Sequence, residues 1–116
     1  MATILISFGY NKGVPEMAYP SYDPRALIID VRTLFGRNPF HNKKLRYLRG
    51  TDLAVQQDIM KTPHFAVNYA ALKDRVMTHP GPVYLGCTGG HHRSVYLAQR
   101  LSEELQIPVS HVHIAL

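Results

Sequence analysis

The amino-acid sequence predicts an α/β fold: a small, mainly parallel β-sheet of about four strands, flanked by helices on both faces in three layers. Three observations carry this. Four short apolar runs, 2–8, 26–31, 82–85 and 108–116, have the length and composition of strands in a buried sheet. Segments with apolar residues at helical spacing lie among them, and strands joined through helices pair in parallel. The chain has 116 residues, 46% of them hydrophobic, which is enough for one modest core without disulfide staples. Residues 1–116 are therefore expected to form a single domain.

The elements follow in order. Ala2 to Phe8 is apolar and β-branched and reads as the first buried strand. Gly9, Asn11, Gly13, Pro15, Pro20 and Pro24 then predict a long irregular connection, of the kind that is often functional in small domains. Ala26 to Val31 is a second strand, with Asp30 near its carboxyl end and Arg32 just beyond, where open α/β sheets place their ligand crevice. Thr33 to Gly50 is loop-like and basic. Asp52 is placed to cap a helix through Leu53, Val55, Ile59 and Met60, and Pro63 interrupts it. A second helix runs over roughly Ala66 to Met77, and His79-Pro80-Gly81-Pro82 turns the chain into a strand at Val83 to Leu85. Val95, Ala98, Leu101 and Leu105 mark one face of a helix over Ser94 to Leu105, and Pro108 to Leu116 alternates as a final strand.

Composition narrows the function classes. Cys87 is the only cysteine, so no internal disulfide forms, and a free thiol beside histidines suits a reducing cytoplasm. No apolar run approaches a membrane span, and a soluble protein is expected. Lys and Arg outnumber Asp and Glu by 13 to 8, with Arg32, Arg37, Lys43, Lys44, Arg46 and Arg49 in one stretch. Such a segment suits an anionic partner, a phosphorylated small molecule or an RNA backbone, or is simply a solvated loop.

The most specific signal is Gly86-Cys87-Thr88-Gly89-Gly90-His91-His92-Arg93-Ser94, where the third strand meets the last helix. A glycine-bearing turn there leaves backbone N–H groups unpaired at the positive end of the helix dipole, a cradle for phosphate, sulfate or carboxylate. Cys87, Gly90, Arg93 and Ser94 also fit C-x-x-G-x-x-R-S, the nucleophile loop of tyrosine-phosphatase-like enzymes. In that chemistry Cys87 would attack phosphorus, Arg93 would grip the equatorial oxygens, Ser94 would assist the leaving thiolate, and Asp30 or Asp52 would protonate the leaving oxygen. Two features weigh toward binding: the histidine those enzymes usually carry before the cysteine is Gly86 here, and no movable acid loop stands out.

Residues 86–96, read with Ser7-Phe8-Gly9-Tyr10-Asn11-Lys12-Gly13 and Asp30-Val31-Arg32, resemble the C-terminal domain of the RapZ (YvcJ) family. Asn38-Pro39, Leu45-Arg46, Leu48, Gly50 and Asp52 extend the resemblance through the middle of the chain. It implies an α/β fold likened to a sugar-phosphate kinase subdomain. It also implies a domain that senses glucosamine-6-phosphate, oligomerises, and in some bacteria binds small regulatory RNAs. By that analogy Cys87, Thr88, Gly89, Gly90, His91, His92, Arg93 and Ser94 hold the sugar phosphate, and Asp30, Arg32, Asn38 and Arg46 form or support the pocket. The sequence departs from the family at several points. No G-x-x-x-x-G-K-[ST] occurs, so nucleotide hydrolysis is not carried over. The family's Asn-Pro-His is Asn38-Pro39-Phe40, with His41 one place later. Val112-His113-Ile114 replaces a histidine flanked by arginines, which weakens an RNA surface there.

Other features have plainer readings. His111 and His113 fall on one strand face and with a loop histidine would make a three-histidine zinc site, but a polar strand face is the expected reading; no metal or cofactor is assigned. Tyr10, Tyr19, Tyr22, Phe35 and Phe40 stack on a ligand or act as lids over the core. Lys12 reaches a bound anion or solvates its turn. The sequence is thus read as a cytoplasmic binding or regulatory domain for an amino-sugar phosphate or a nucleotide-like ligand. A cysteine-dependent phosphatase and an RNA-binding adaptor stand as the alternatives.

Overall fold

The computed structural model describes residues 1–116. Its four strands are β1 (Leu5–Gly9), β2 (Leu27–Asp30), β3 (Val83–Cys87) and β4 (Val109–His111), and its helices are α1 (Leu53–Ile59), α2 (Phe65–Thr78) and α3 (Arg93–Leu105). The strands form one sheet in the order β2-β3-β1-β4, and every pairing is parallel. Val83 stands opposite both Leu5 and Leu27, so the carboxyl ends of β1, β2 and β3 finish at Gly9, Asp30 and Cys87 along one rim. The α/β class and the four strands are as the sequence predicts.

The topology explains how the two faces are covered. The chain steps from β1 past β3 to β2, then returns from β2 to β3 and from β3 past β1 to β4. Crossovers in a parallel sheet are right-handed, so steps in opposite directions run over opposite faces. Both helical crossovers step the same way, and the buried residues of α1, α2 and α3 accordingly share one core with Leu5, Ile29, Val83, Leu85 and Cys87. The opposite face carries Phe8 and Tyr84, and it is covered by the 10–26 connection through Tyr10, Val14 and Ala18. The irregular connection is as the sequence predicts, with only two 3-10 turns, Tyr10–Lys12 and Glu16–Ala18, so helices cover one face of the sheet and not both as expected. The prolines and glycines of that connection preclude anything longer.

Boundaries differ from the sequence reading at both ends. β1 begins at Leu5; the amides of Ala2 and Thr3 bond the carbonyls of Val76 and Gly81, tying the first residues to the end of α2 and the turn after it. β4 stops at His111 although the alternating pattern continues. Its neighbour β1 ends at Gly9, and beyond the Val112 amide bonded to Ser7 the chain turns, so that the His113 ring meets the Gly9 amide. Asp52 stands at the N-cap of α1, but its carboxylate accepts the Arg49 amide at 2.6 Å and caps no helical N–H.

Candidate anion-binding site

The site lies at the rim between β1 and β3, adjacent strands whose following crossovers depart over opposite faces. Such a switch point opens a crevice beyond the strand ends. The loop after Cys87 is laid directly on Gly9, where an added Cβ would come within 2.3 Å of the Gly89 carbonyl carbon. Gly90 completes the fit with a left-handed φ of +76°, a conformation that other residues adopt only under strain.

What surrounds the loop determines how its peptides face. The Thr88 carbonyl accepts the Asn11 amide at 3.1 Å, the Gly89 carbonyl accepts Lys12 Nζ at 2.6 Å, and the His91 carbonyl accepts the Gly50 amide at 2.7 Å. Two flanking segments therefore hold the carbonyls, the Tyr10–Lys12 turn and the stretch ending at Gly50. The backbone amides from Thr88 through Val95, in contrast, bond no acceptor in the protein. They belong to the loop and to the first turn of α3, where the helix dipole adds positive potential.

Arg93 is the first residue of α3 and is only 4% exposed. Its Nη1 donates to the Phe35 carbonyl at 2.9 Å and its Nη2 to Thr88 Oγ1 at 3.4 Å, while its buried Nε has no partner. Burial pushes its pKa below the ordinary arginine value, but a guanidinium stays charged at any physiological pH. Cys87 and Ser94 are also buried, with Sγ 3.1 Å from Oγ. A cavity of about 180 Å³ opens over these groups, lined on the loop side by Cys87, Thr88, Gly89, His91, His92 and Arg93. Asn11, Lys12, Asn38 and Phe40 close its other side.

The remaining residues singled out from the sequence lie around this centre in different ways. Asn38 reaches the cavity, its Oδ1 held by the Phe40 amide. Phe40 is half-exposed at the mouth, and Arg46 stands behind it, its guanidinium 4.6 Å from the ring centre. Phe35 divides from Phe40 in role: it is fully buried in the core and only its carbonyl serves Arg93. Asp30 and Arg32 form a two-pronged ion pair, both contacts 2.9 Å, beside the cavity and not in its lining, with Arg32 stacked 4.3 Å over Tyr10. The Arg32 hydrogen bonds hold the Asp30 carboxyl below the ordinary carboxylate value. His41 faces a neighbouring cavity. The two histidines of the zinc reading are committed elsewhere: His111 bonds Ser7 Oγ through Nδ1 and Gln99 through Nε2, and His113 Nδ1 takes the Gly9 amide.

The family model of the RapZ C-terminal domain matches residues 1–115. The chain belongs to that family. It is 40% identical over 113 residues to a nucleotide-binding protein of Polynucleobacter necessarius, covering 89% of this chain and 35% of that protein. Nucleotide-binding proteins of Sorangium cellulosum and Staphylococcus carnosus are 34% and 39% identical, covering 97% and 85% of this chain and 33% of each relative. The chain spans about a third of the length of these curated relatives.

Within this RapZ C-terminal domain the sequence reading missed Asn11 as a cavity residue, and it left the role of Lys12 open. Both belong to an irregular connection whose meaning comes only from contact with residues 88–89, remote in sequence.

Burial pushes His91, His92, His111 and His113 below the ordinary histidine value of 6.5. The unfolded chain therefore takes up protons first as pH falls, and folding stability drops with it. The thermal midpoint is expected to decrease steadily between about pH 7.5 and 5.5. Calorimetric scans across that range check this, and a flat midpoint contradicts it.

Proposed function

We propose that this domain is a binding and regulatory module that captures the phosphate of a phosphorylated small molecule in the Cys87 to Ser94 loop. One observation carries the reading: the loop's carbonyls are tied back by Asn11, Lys12 and Gly50 while its amides, from Thr88 through Val95, are left without acceptors. A phosphate in the cavity accepts from those amides, and the buried Arg93 guanidinium supplies charge and its unpaired Nε–H. Lys12 at the rim adds a second cation. The family resemblance favours an amino-sugar phosphate such as glucosamine-6-phosphate. The nucleotide-binding names of the relatives allow a nucleotide-like ligand, although two thirds of those proteins lies outside the matched segment.

Catalysis draws less support from the same geometry. A phosphatase needs a protonated acid at the leaving oxygen. Asp30, the assigned candidate, is held ionised by Arg32 and lies outside the cavity lining. An RNA surface on the basic stretch is likewise less supported, because Arg32, Arg37, Arg46 and Arg49 are engaged by Asp30, Asp58, Phe40 and the Ile114 carbonyl. No helix is long and apolar enough to cross a membrane, and a ligand-lining free thiol favours a reducing cytoplasm.

The experiment is a thermal-shift comparison of glucosamine-6-phosphate, phosphorylated nucleosides and their unphosphorylated counterparts. A ligand that binds only the folded state raises the midpoint, by about 2.7 kcal/mol of stabilisation at a hundredfold excess over Kd. Phosphorylated ligands are expected to shift the wild-type protein and the Cys87→Ser variant alike, without release of inorganic phosphate. Turnover of a phosphomonoester that disappears in Cys87→Ser would instead establish the phosphatase.

A further inference from the structure

The helices pack on one face of the sheet, and the 10–26 connection covers the other face only in part. Between that connection and the sheet lies a groove of about 420 Å³, which shares no lining residue with the cavity over Arg93. Ile4, Ile6, Met17, Tyr84 and Val112 form its apolar part, with Met17 66% and Val112 43% exposed. The groove reaches β4, the end strand of the sheet, where Ser110 is exposed beside Ile6. No further strand follows on that side, so an extended chain has room to cross the groove.

The charge in the groove is of one sign. Glu16 and Asp23 are the only charged residues of its lining, on a chain whose formal net charge is +5. Neither is ion-paired: Glu16 accepts the Tyr22 hydroxyl at 3.4 Å, and Asp23 accepts the Arg25 backbone amide at 2.9 Å. Each carboxylate therefore keeps acceptor capacity for a cation from outside. Tyr84 adds a third polar group. It is 5% exposed and clusters with Phe8 and Ala18, and its hydroxyl bonds no group of the protein where it lines the groove. Burial, and then the Asp23 charge, raise it above the ordinary tyrosine value, so the phenol stays neutral.

We propose that this groove is a docking surface for an extended basic segment of a partner protein, with an apolar side chain on Ile4, Ile6 and Val112 and lysine or arginine side chains on Glu16 and Asp23. Charge complementarity selects the occupant. An acidic segment is repelled by the two carboxylates, and a purely polar one leaves the apolar lining wet. A second copy brings another net positive molecule, in which Arg32, Arg37, Arg46 and Arg49 are already engaged. The surface is separate from the 88–95 loop, so this inference stands or falls independently of the phosphate reading.

The test titrates the full chain calorimetrically with three peptides of alternating sequence: Lys-Leu-Lys-Leu-Lys-Leu-Lys, the same with Glu for Lys, and the same with Ser for Leu. The basic apolar peptide is expected to bind about tenfold or more tighter than either of the others, a preference that runs against the protein's net charge. Its saturating shifts in nitrogen-15 NMR are expected on the amides of Ile6, Tyr84, Ser110 and Val112. The double variant Glu16→Gln/Asp23→Asn should lose about three- to tenfold in affinity for it, the scale of one or two exposed ion pairs. Asn keeps the Oδ1 acceptor for the Arg25 amide, and the wild-type comparison needs no variant. Equal binding of the acidic peptide in the groove, an unchanged affinity in the double variant, or shifts confined to other surfaces overturns the proposal. So does a dimer in sedimentation that Met17→Asp dissociates, which would make the groove an interface between copies. Titration with inorganic phosphate is expected to be the same in wild type and the double variant, so loss of peptide binding alone leaves the cradle intact.

Discussion

Replacing Gly9 by alanine is expected to abolish phosphate binding and to destabilise the fold by about 1–3 kcal/mol or more, the cost of forcing a methyl group into a packed site. The added Cβ would meet the Gly89 carbonyl carbon at 2.3 Å and the Gly89 oxygen and Gly90 nitrogen at 2.6 Å. All three are backbone atoms, so no side chain can swing aside. Either the end of β1 or the 88–90 loop must move. The first movement breaks the Gly9 bond to His113, and the second breaks the Lys12 and Asn11 bonds that hold the loop carbonyls. Gly36→Ala is the control, since nothing lies within 4 Å of its added carbon. Urea unfolding together with phosphate titration separates the two, with Gly36→Ala within about 0.5 kcal/mol of wild type.

Arg93→Ala should weaken capture of inorganic phosphate by on the order of 1.5–3 kcal/mol, roughly ten- to a hundredfold or more. It removes the one cation buried in the site and leaves the Phe35 carbonyl without its donor, so a fall in stability accompanies the loss of binding. Arg93→Lys tells charge from geometry. An ammonium keeps the charge but cannot span Phe35, Thr88 and a ligand oxygen together, and its affinity should lie between those of wild type and alanine. Calorimetric titration of folded protein measures the binding loss directly. Wild-type affinity in Arg93→Ala would remove the guanidinium from the site.

The parts of the molecule that were legible in the sequence are those whose cause is local. Apolar runs at 26–31 and 82–85 and the helical spacing of Val95, Ala98 and Leu101 announce β2, β3 and α3, and glycines beside a helix start announce the turn whose amides are left unpaired. The order β2-β3-β1-β4 is a long-range property, and with it went the placement of all three helices on one face. The same holds around the site. Asn11 acquires meaning only when the 10–26 connection is brought to the rim. Asp30 and Arg32 were legible as charges at a strand end, yet their pairing with each other and their place beside the cavity depend on how Arg32 stacks on Tyr10.

The central claim, that the unpaired amides of residues 88–95 are a phosphate site, is tested most directly by nitrogen-15 NMR during titration with inorganic phosphate. The expected result is saturable shifts concentrated on the backbone amides of Thr88 through Val95 and on the Arg93 Nε–H, with the Asn11 and Gly50 amides little changed because their bonds to the loop persist. Shifts scattered over the exposed lysines, or none in the 88–95 amides at saturating phosphate, would contradict it.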